Sequence, residues 1–226
     1  MLALTQGLMS VASSAGDPNF ANVVSLLHFD GVDGSTTFTD VKGRTWTRTG
    51  SAQIDTDQSR FGGASLLVAP GDSIETAASA DFAFGTGDFT IEFFARRRVA
   101  GTNNYDWCTF GPNWDIYTSP DGTLLLWNGS GNLLVSSANV VTVGAWHHIA
   151  VTRASGTVRM FVDGVQRGGS STGNTANFTS SQGVFVGYYP PNLRRLDGWV
   201  DEFRVTSGVA RYTANFTAPS APFPDF

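Results

Sequence analysis

The sequence is poor in several residue types on which enzymes and cross-linked secreted domains depend. It has one cysteine, Cys108, one lysine, Lys42, three glutamates and three histidines among 226 residues. A single cysteine excludes an intrachain disulfide, and we expect Cys108 to be a buried structural thiol. Charged residues make up 15% of the chain, against about 25% in typical soluble domains. Asn, Ser, Thr and Gly must therefore supply much of the polar surface.

Long apolar runs and long basic runs are also missing. No apolar run approaches the roughly 20 residues that span a bilayer, so we expect no membrane insertion. No Lys or Arg precedes Lys42, so we expect no cleaved signal peptide. The net charge is −5, and the longest basic run is Arg96-Arg97-Arg98. These side chains alternate in direction on a strand, so we interpret them as a solvated edge and expect no nucleic-acid binding.

Glycine, by contrast, is abundant at 26 residues, and 12% of the chain is aromatic. Short apolar runs with period-2 alternation are separated by Gly-Pro, Pro-Asp-Gly, Asn-Gly and Asp-Gly turns. Asp163-Gly164 is the strongest turn signal, because a type I′ turn needs positive φ at both central positions. The pattern predicts almost no helix, and short strands at 23–29, 45–49, 53–56, 64–68, 73–76, 89–98, 107–110, 114–118, 123–127, 133–136, 146–153, 157–162, 165–167, 183–188 and 198–206.

These strands predict one all-β domain, a sandwich or jelly roll of two antiparallel sheets. We place the domain at residues 22–226, including a C-terminal tail at 207–226, and see no boundary that would split it. Residues 1–21 lack clear alternation, so we interpret them as an N-terminal arm that docks on neighbouring subunits. Within the arm, residues 1–11 suit a short helix or a docking strand.

Alternation also assigns faces to two long strands. In the strand at 89–98, one face is predicted to carry Ile91, Phe93 and Ala95, and the other Thr90, Glu92 and Phe94. In the strand at 198–206, one face is predicted to carry Val200, Glu202, Arg204 and Thr206, and the other Asp201, Phe203 and Val205.

Six motifs follow one another along the chain: LHFDG at 27–31, FGGASL at 61–66, FAFGTGDFTIEF at 82–93, WHHIA at 146–150, FVDG at 161–164 and VDEFRV at 200–205. The ordered set resembles the laminin-G-like, concanavalin A-like jelly roll over residues 23 to 206. The segment at 210–224 resembles copies of this domain in bacteriophage structural proteins, which include tail-fibre and head-decoration components.

The resemblance implies a non-enzymatic virion structural protein, either a capsid decoration or a tail-associated component. Its jelly roll would stabilise the lattice, bind host glycans, or both. Other virion proteins, contacted through residues 1–21, and host surface glycans would be its partners, and the particle surface its location. We expect a homo-oligomer, with the trimer as the usual form in such spikes. The alternative is a free extracellular lectin that binds carbohydrate.

A glycoside hydrolase is the third hypothesis, because related folds include glucanases with a Glu-x-Asp-x-(x-)Glu strand. In such a strand the alternate carboxylates reach one substrate from the same face. None of the three glutamates of this chain lies in that pattern. Glu92 is the nearest candidate acid, yet its neighbours Thr90 and Phe94 supply no partner. No nucleophile elbow supports Ser-His-Asp catalysis either.

The resemblance implies one cofactor, a structural calcium ion. In this fold family the ion is commonly held by the aspartate of the final strand and by backbone carbonyls, since calcium prefers oxygen ligands. This maps to Asp201, with Asp30 and carbonyls near 60–63 as companions. The alternative is that Asp201 only accepts hydrogen bonds from the adjoining loop. His147 and His148 are adjacent on a strand, point to opposite faces and cannot share a metal.

Aromatic residues, among them Tyr188 and Tyr189, cluster between positions 105 and 190, and their planar polar neighbours include Asn103, Asn104, Asn113 and Arg194. Sugar rings stack on aromatic faces, and planar polar groups orient sugar hydroxyls. The candidate glycan-binding residues are therefore Trp107, Trp114, Tyr117 and Trp127, with the amide of Asn128. The alternative is that most of these rings belong to the core. For Trp114 and Trp127, which are flanked by Asn and Gly, the residue pattern favours neither interpretation.

Overall fold

Fifteen short strands make up most of the regular structure in the residues that the computed structural model describes, 16–192 and 194–226. Single turns of 3₁₀ helix lie at Phe20–Asn22, Ala80–Phe82 and Pro190–Asn192. No helix in these residues is long and apolar enough to cross a membrane. In chain order the strands are β1 Val23–Leu27, β2 Thr47–Thr49, β3 Gln53–Asp55, β4 Ser65–Val68, β5 Ser73–Thr76, β6 Phe89–Arg97, β7 Tyr105–Phe110, β8 Trp114–Thr118, β9 Leu124–Trp127, β10 Asn132–Val135, β11 Trp146–Ala154, β12 Thr157–Val162, β13 Val165–Ser171, β14 Val184–Gly187 and β15 Gly198–Ser207.

The strands form two antiparallel sheets. Sheet I has the order β13-β12-β11-β6-β15-β4-β3, and β1 also pairs with β15. Sheet II has the order β10-β9-β8-β7-β14-β5-β2. The two sheets confirm the predicted all-β sandwich. The first and last strands of the described chain are neighbours in sheet I, so both ends of the sandwich come together there.

An aromatic-rich core fills the space between the sheets. On β6 the core-facing residues are Phe89, Ile91, Phe93 and Ala95, whereas Phe94 lies on the other side in a second, smaller cluster. These positions confirm the predicted faces of the strand at 89–98. An alternating strand with one face in the core leaves its second face to be covered by something else.

The predicted faces of the last strand are wrong, because β15 contains a β-bulge. The pairing of β15 with β6 shifts register between Asp201 and Arg204. Glu202 is the extra residue and adopts a φ of 54°, and a bulge of this kind reverses the alternation beyond it. The core-facing residues of β15 are therefore Val200, Phe203 and Val205.

β15 ends at Ser207, one residue later than predicted, so the C-terminal tail consists of residues 208–226, and it covers the outer face of sheet I. The Thr90 hydroxyl on β6 donates to the Val209 carbonyl at 2.9 Å. Further along, the ring of Phe223 is 3% exposed and packs in the smaller cluster with residues of β1 and β6. On this side of the molecule a ligand meets the tail and not the sheet.

The predicted N-terminal arm, residues 1–21, lies largely outside the described residues, as does the helix or docking strand expected within 1–11. Its last six residues, 16–21, lie against the sandwich. Asp17 is 8% exposed, and its backbone N–H donates to the Phe226 carbonyl at 2.8 Å. This end of the arm is therefore joined to the tail.

Candidate functional site

Two of the predicted aromatic residues lie in the core. Trp107 and Trp114 are each 1% exposed and belong to the cluster between the sheets. Trp114 stacks on Phe110 with 4.0 Å between ring centroids. Trp107 alternates with Asp106 and faces inward like Tyr105, and the register shift between Asp106 and Cys108 brings Cys108 into the core as well. Neither ring has a face that a sugar can reach, so the predicted glycan contacts of these two residues are corrected to core packing.

Tyr117 and Trp127 lie on the outer face of sheet II. Trp127 of β9 pairs with Asp115 of β8, which pairs in turn with Thr109 of β7. Tyr117 is only 5% exposed, because the guanidinium of Arg194 covers its ring at 3.7 Å from the centroid. Trp127 is half-buried. Of the four predicted rings, Trp127 is thus the one that keeps a surface for a ligand.

A small cleft of about 130 Å³, called here the Trp127 cleft, opens beside this ring. Its lining combines the rings of Trp127 and Tyr189 with the carboxylate of Asp115. The Tyr189 hydroxyl donates to Gln182 Oε1 at 2.9 Å, which fixes the ring. Burial raises the pKa of Tyr189, so the hydroxyl stays protonated. Asp115 accepts a hydrogen bond from Arg194, so apolar walls stand beside a fixed pair of opposite charges.

Arg194 faces two buried carboxylates. Its Nη1 donates to Asp115 and lies 4.0 Å from Asp106 Oδ1. The Thr109 hydroxyl donates to Asp106 Oδ2 at 3.2 Å. Burial, with both carboxylates adding to it, raises the pKa of Cys108 well above its usual range. Cys108 is buried and protonated, as expected of a structural thiol.

Asn128 lies in a larger depression next to the cleft. This polar groove has a volume of about 780 Å³ and is lined by residues 112–113, 128–130 and 171–177. Asn128 Oδ1 accepts the backbone N–H groups of Ser130 and Gly131 at 3.3 and 3.2 Å. Pro112 lines both the groove and the Trp127 cleft. The predicted residues Trp127 and Asn128 therefore border one continuous surface.

The predicted calcium residues meet at the loop before β4. Asp201 is fully buried, and its Oδ2 accepts the backbone N–H groups of Arg60 and Phe61 at 2.7 and 3.1 Å. Its Oδ1 has no hydrogen-bond partner within the described part of the chain. Asp30 packs against the same loop, since a Cβ on Gly62 would lie 1.7 Å from Asp30 Oδ1. The two predicted carboxylates thus lie at one loop, and one of them has an orphaned oxygen.

Asp201 is more easily protonated than an ordinary aspartate, because it is buried and lies near two other carboxylates. Burial raises its pKa to about 7, and repulsion from Glu202 and Asp30 adds to the effect of burial. A cation would offset both effects. In the residues described, no three His, Cys, Asp or Glu side chains are grouped so that they could hold a metal. The donor set fits calcium only if backbone carbonyls at 60–63 complete the coordination shell.

Glu92 is closed off from any substrate. It is fully buried beneath the tail, where its Oε1 accepts from Arg204 Nη2 and its Oε2 from the Tyr212 hydroxyl, both at 2.8 Å. Arg204 and Arg211 also bind Asp17, at 3.1 and 2.7 Å. Burial alone would raise the pKa of Glu92, but the neighbouring cations, led by Arg204, bring it down to about 2. Glu92 is therefore charged at neutral pH and belongs to an ion network.

A family model described as the concanavalin A-like lectin/glucanases superfamily matches residues 70–211. The chain belongs to this superfamily. The matched segment contains β5 to β15 and so includes strands of both sheets. It agrees with the resemblance that the ordered motifs carry. A comparison of this concanavalin A-like domain with curated proteins found no match.

Solved structures similar to this concanavalin A-like domain include binding domains of toxins and a domain of an arabinanase. The binding domain of Paraclostridial Mosquitocidal Protein 1 has a TM-score of 0.67 at 17% identity, over 85% of this chain and 50% of that chain. Domain 4 of AbnA, a GH43 extracellular arabinanase from Geobacillus stearothermophilus in complex with arabinotriose, has a TM-score of 0.58 at 18% identity. The match covers 84% of this chain and 94% of that chain. Botulinum neurotoxin type C has a TM-score of 0.61 at 12% identity, over 84% of this chain and 49% of that chain.

These similarities establish a lectin-like fold and leave the ligand undefined. This chain spans only about half the length of the two toxin chains. At identities below one fifth, the common feature is the sandwich itself. Function must therefore be argued from the residues of the concanavalin A-like domain itself.

The candidate residues from the sequence cover only part of the site. Asp106 and Asp115 were missed, although each interrupts an apolar strand, in YDW at 105–107 and WDI at 114–116. A charged residue between two core-facing residues marks the outer face of a strand, so a signal was present. Arg194 and Tyr189, which the sequence places among the polar neighbours and the clustered rings, reach this region from the segment between β14 and β15.

Proposed function

We propose that this concanavalin A-like domain is a non-enzymatic lectin module that binds glycans at the Trp127 cleft. The observation that carries the proposal is the meeting of an accessible indole ring with the buried, Arg194-paired carboxylate of Asp115. The ring offers its face to the C–H groups of a sugar, and the Asp115 carboxylate, held by Arg194, offers an acceptor to its hydroxyls. Both polar groups are held in place before a ligand arrives, which limits the entropy lost on binding.

The comparisons support a sugar as the ligand. The arabinanase domain is in complex with arabinotriose. Cell entry of botulinum neurotoxin type C depends on interaction with two ganglioside molecules. Proteins that contain this sandwich therefore include two that interact with glycans, which supports a glycan as the ligand that contacts Trp127 in this chain.

The pKa and burial of Glu92, and the pairing of Asp106 and Asp115 with Arg194, support a role without catalysis. Glycoside hydrolysis requires two carboxyl groups beside the scissile bond, one of them with a raised pKa. Glu92 has a pKa lowered to about 2 and lies beneath the tail. Asp106 and Asp115 both face the guanidinium of Arg194. This arrangement suits the binding of hydroxyl groups better than the delivery of a proton.

Trp127→Ala is expected to weaken glycan binding about 30-fold, because loss of a central aromatic contact costs about 2 kcal/mol. The ligand for this measurement is the best hit of the whole chain on a glycan array, and the affinity is measured by isothermal titration calorimetry. Trp127 is half-buried at the end of β9, so the variant should fold like the wild type by circular dichroism.

Trp127→Phe is the matched control, since it keeps an aromatic face at the same position. It should retain most of the affinity that Trp127→Ala loses. Equal affinity of the alanine variant and the wild type would place the sugar elsewhere on the molecule and would reject the Trp127 cleft as the binding site.

We further propose that the module is displayed on a bacteriophage particle, with residues 1–21 contacting capsid or tail proteins. The support is the resemblance of the segment at 210–224 to bacteriophage structural proteins. The tail covers sheet I, whereas the Trp127 cleft on sheet II stays open. Peptide mass spectrometry of purified particles distinguishes stoichiometric display from the free extracellular lectin. The homo-oligomer stays a prediction.

We also propose that Asp201 and Asp30 hold a structural calcium ion, with carbonyls from residues 60–63. The support is the buried Asp201 Oδ1, which has no partner among the described residues, and the second carboxylate on the same loop. When bound, calcium would neutralise the two carboxylates and would tie β15 to the loop before β4. The role is structural because the Trp127 cleft lies on the other sheet.

Calcium at 100 times its dissociation constant is expected to raise the melting temperature by about 5–10 °C over protein in EDTA. The estimate combines about 2.7 kcal/mol of linkage stabilisation with about 2–4 °C per kcal/mol for a chain of this size. Asp201→Asn should abolish the shift, because the amide keeps the backbone hydrogen bonds but not the charge. Identical melting in calcium and in EDTA would contradict the site.

A further inference from the structure

The Trp127 cleft is too small to enclose a sugar. Its volume of about 130 Å³ is well below the usual range for ligand sites, about 300–1,000 Å³. A sugar stacked on Trp127 must therefore project beyond the cleft. On the side of Pro112 it meets the polar groove of about 780 Å³, a volume within the usual range for ligand sites, about 300–1,000 Å³.

The polar groove has the lining of a site for a neutral ligand. Its twelve lining residues are Asn, Ser, Thr, Gly, Pro and Ala, so no ionisable side chain lines it. A charged ligand would lose hydration there without gaining an opposite charge. A chain of sugar hydroxyls, in contrast, exchanges hydrogen bonds with amides and hydroxyls at little cost.

The amide side chains of the groove are fixed before a ligand arrives. Asn113 Nδ2 donates to the Thr179 carbonyl at 2.5 Å, and Asn174 Oδ1 accepts the Ala176 N–H at 2.9 Å. The amide oxygen of Asn128 is engaged within its own turn. The amide nitrogen of Asn128 makes no hydrogen bond within the described part of the chain, so its two N–H donors remain for a ligand.

We propose that the Trp127 cleft and the polar groove form one extended site for a neutral, linear oligosaccharide. One sugar stacks on Trp127 beside Asp115, and the following units pass Pro112 and lie between residues 128–130 and 171–177. The proposal rests on the glycan-binding function proposed above and adds the ligand class: several units long and without carboxylate groups. A site for one terminal sugar would need the cleft alone.

The dependence of affinity on chain length tests this proposal. The whole chain is titrated calorimetrically with neutral oligosaccharides of glucose, arabinose, mannose and N-acetylglucosamine, from the monosaccharide to the pentasaccharide. Lactose and 3′-sialyllactose are compared in parallel. In the series that binds, affinity is expected to rise at least about tenfold from the monosaccharide to the tetrasaccharide. Lactose should bind at least as well as its sialylated form.

Bulky substitutions in the groove provide the second measurement. Thr172 and Thr175 are exposed residues of the lining, so Thr172→Trp and, independently, Thr175→Trp fill the groove without disturbing the core. Each is expected to remove the tenfold gain and to leave monosaccharide affinity unchanged. Thr36→Trp, at an exposed position outside the groove, should keep the full dependence on length.

The outcomes separate the extended site from the glycan-binding function. Binding that does not depend on length, or groove variants with wild-type affinity for the tetrasaccharide, overturns the extended site and leaves a one-sugar lectin. Preference for 3′-sialyllactose over lactose overturns the neutral ligand class. Failure of every sugar to bind the wild-type chain overturns both the extended site and the proposed function.

Discussion

Replacement of Glu92 by glutamine is expected to lower the free energy of unfolding by about 3–5 kcal/mol and to leave glycan affinity unchanged. Glu92 and Asp17 balance the charges of Arg204 and Arg211 in a network that the tail covers. Glutamine keeps the shape of the side chain but removes one negative charge, so a buried guanidinium loses its counter-charge. Urea denaturation followed by tryptophan fluorescence measures the loss.

The acid stability of the two proteins provides a further check on Glu92. Its pKa is lowered from 4.5 to about 2 in the folded protein, so its contribution is complete above pH 4.5 and is lost as the pH falls toward 2. The wild type should lose about 3 kcal/mol from this group, and Glu92→Gln should lack that loss. A catalytic Glu92 predicts the opposite pattern, in which turnover disappears and stability changes little.

Truncation of Phe223 to alanine is expected to cost about 3–5 kcal/mol of stability, the usual range for a buried phenylalanine. The ring is 3% exposed and packs against Val23, Leu26 and Phe94. The guanidinium carbon of Arg204 lies 3.9 Å from the centroid of the ring. Alanine would leave a cavity between the tail and sheet I, and thermal or urea denaturation measures its cost.

Phe226, further along the tail, is the matched control. Its ring is 61% exposed, so Phe226→Ala should change the free energy of unfolding by no more than about 0.5 kcal/mol. If Phe223→Ala proves equally mild, the tail does not stabilise the sandwich. The outer face of sheet I would then count as a second surface for ligands.

Strand positions and one hairpin could be predicted because they depend on local chemistry. Asp163 and Gly164 have φ values of 52° and 77°, as the predicted type I′ turn demands. The bulge at Glu202 could not be predicted, because distant partners stabilise it. His28 Nδ1 lies 2.8 Å from Glu202 Oε1, and the Phe223 N–H donates to Oε2 at 2.8 Å. These two partners come from segments far from β15 in the sequence, so the residue pattern of the strand itself does not indicate them.

The candidate site was predictable in part for the same reason. Trp107, Trp114 and Trp127 all lie in short strands near polar residues, so their immediate neighbours do not distinguish core rings from surface rings. Trp107 shares the core-facing side of β7 with Tyr105, whereas Arg194, from a later segment, covers Tyr117. The exposure of a ring on this fold depends on register and on which segment crosses the sheet, and neither follows from residue type.

Chemical-shift mapping of a bound glycan tests most directly whether the outer face of sheet II is the binding surface. The ¹⁵N-labelled chain is titrated with its tightest-binding oligosaccharide. The largest shift changes are expected at the indole N–H of Trp127, at the Asn128 side-chain amide and in the backbone at 171–177. Changes confined to the tail, or to the loop that contacts Asp201, would contradict the binding surface proposed here.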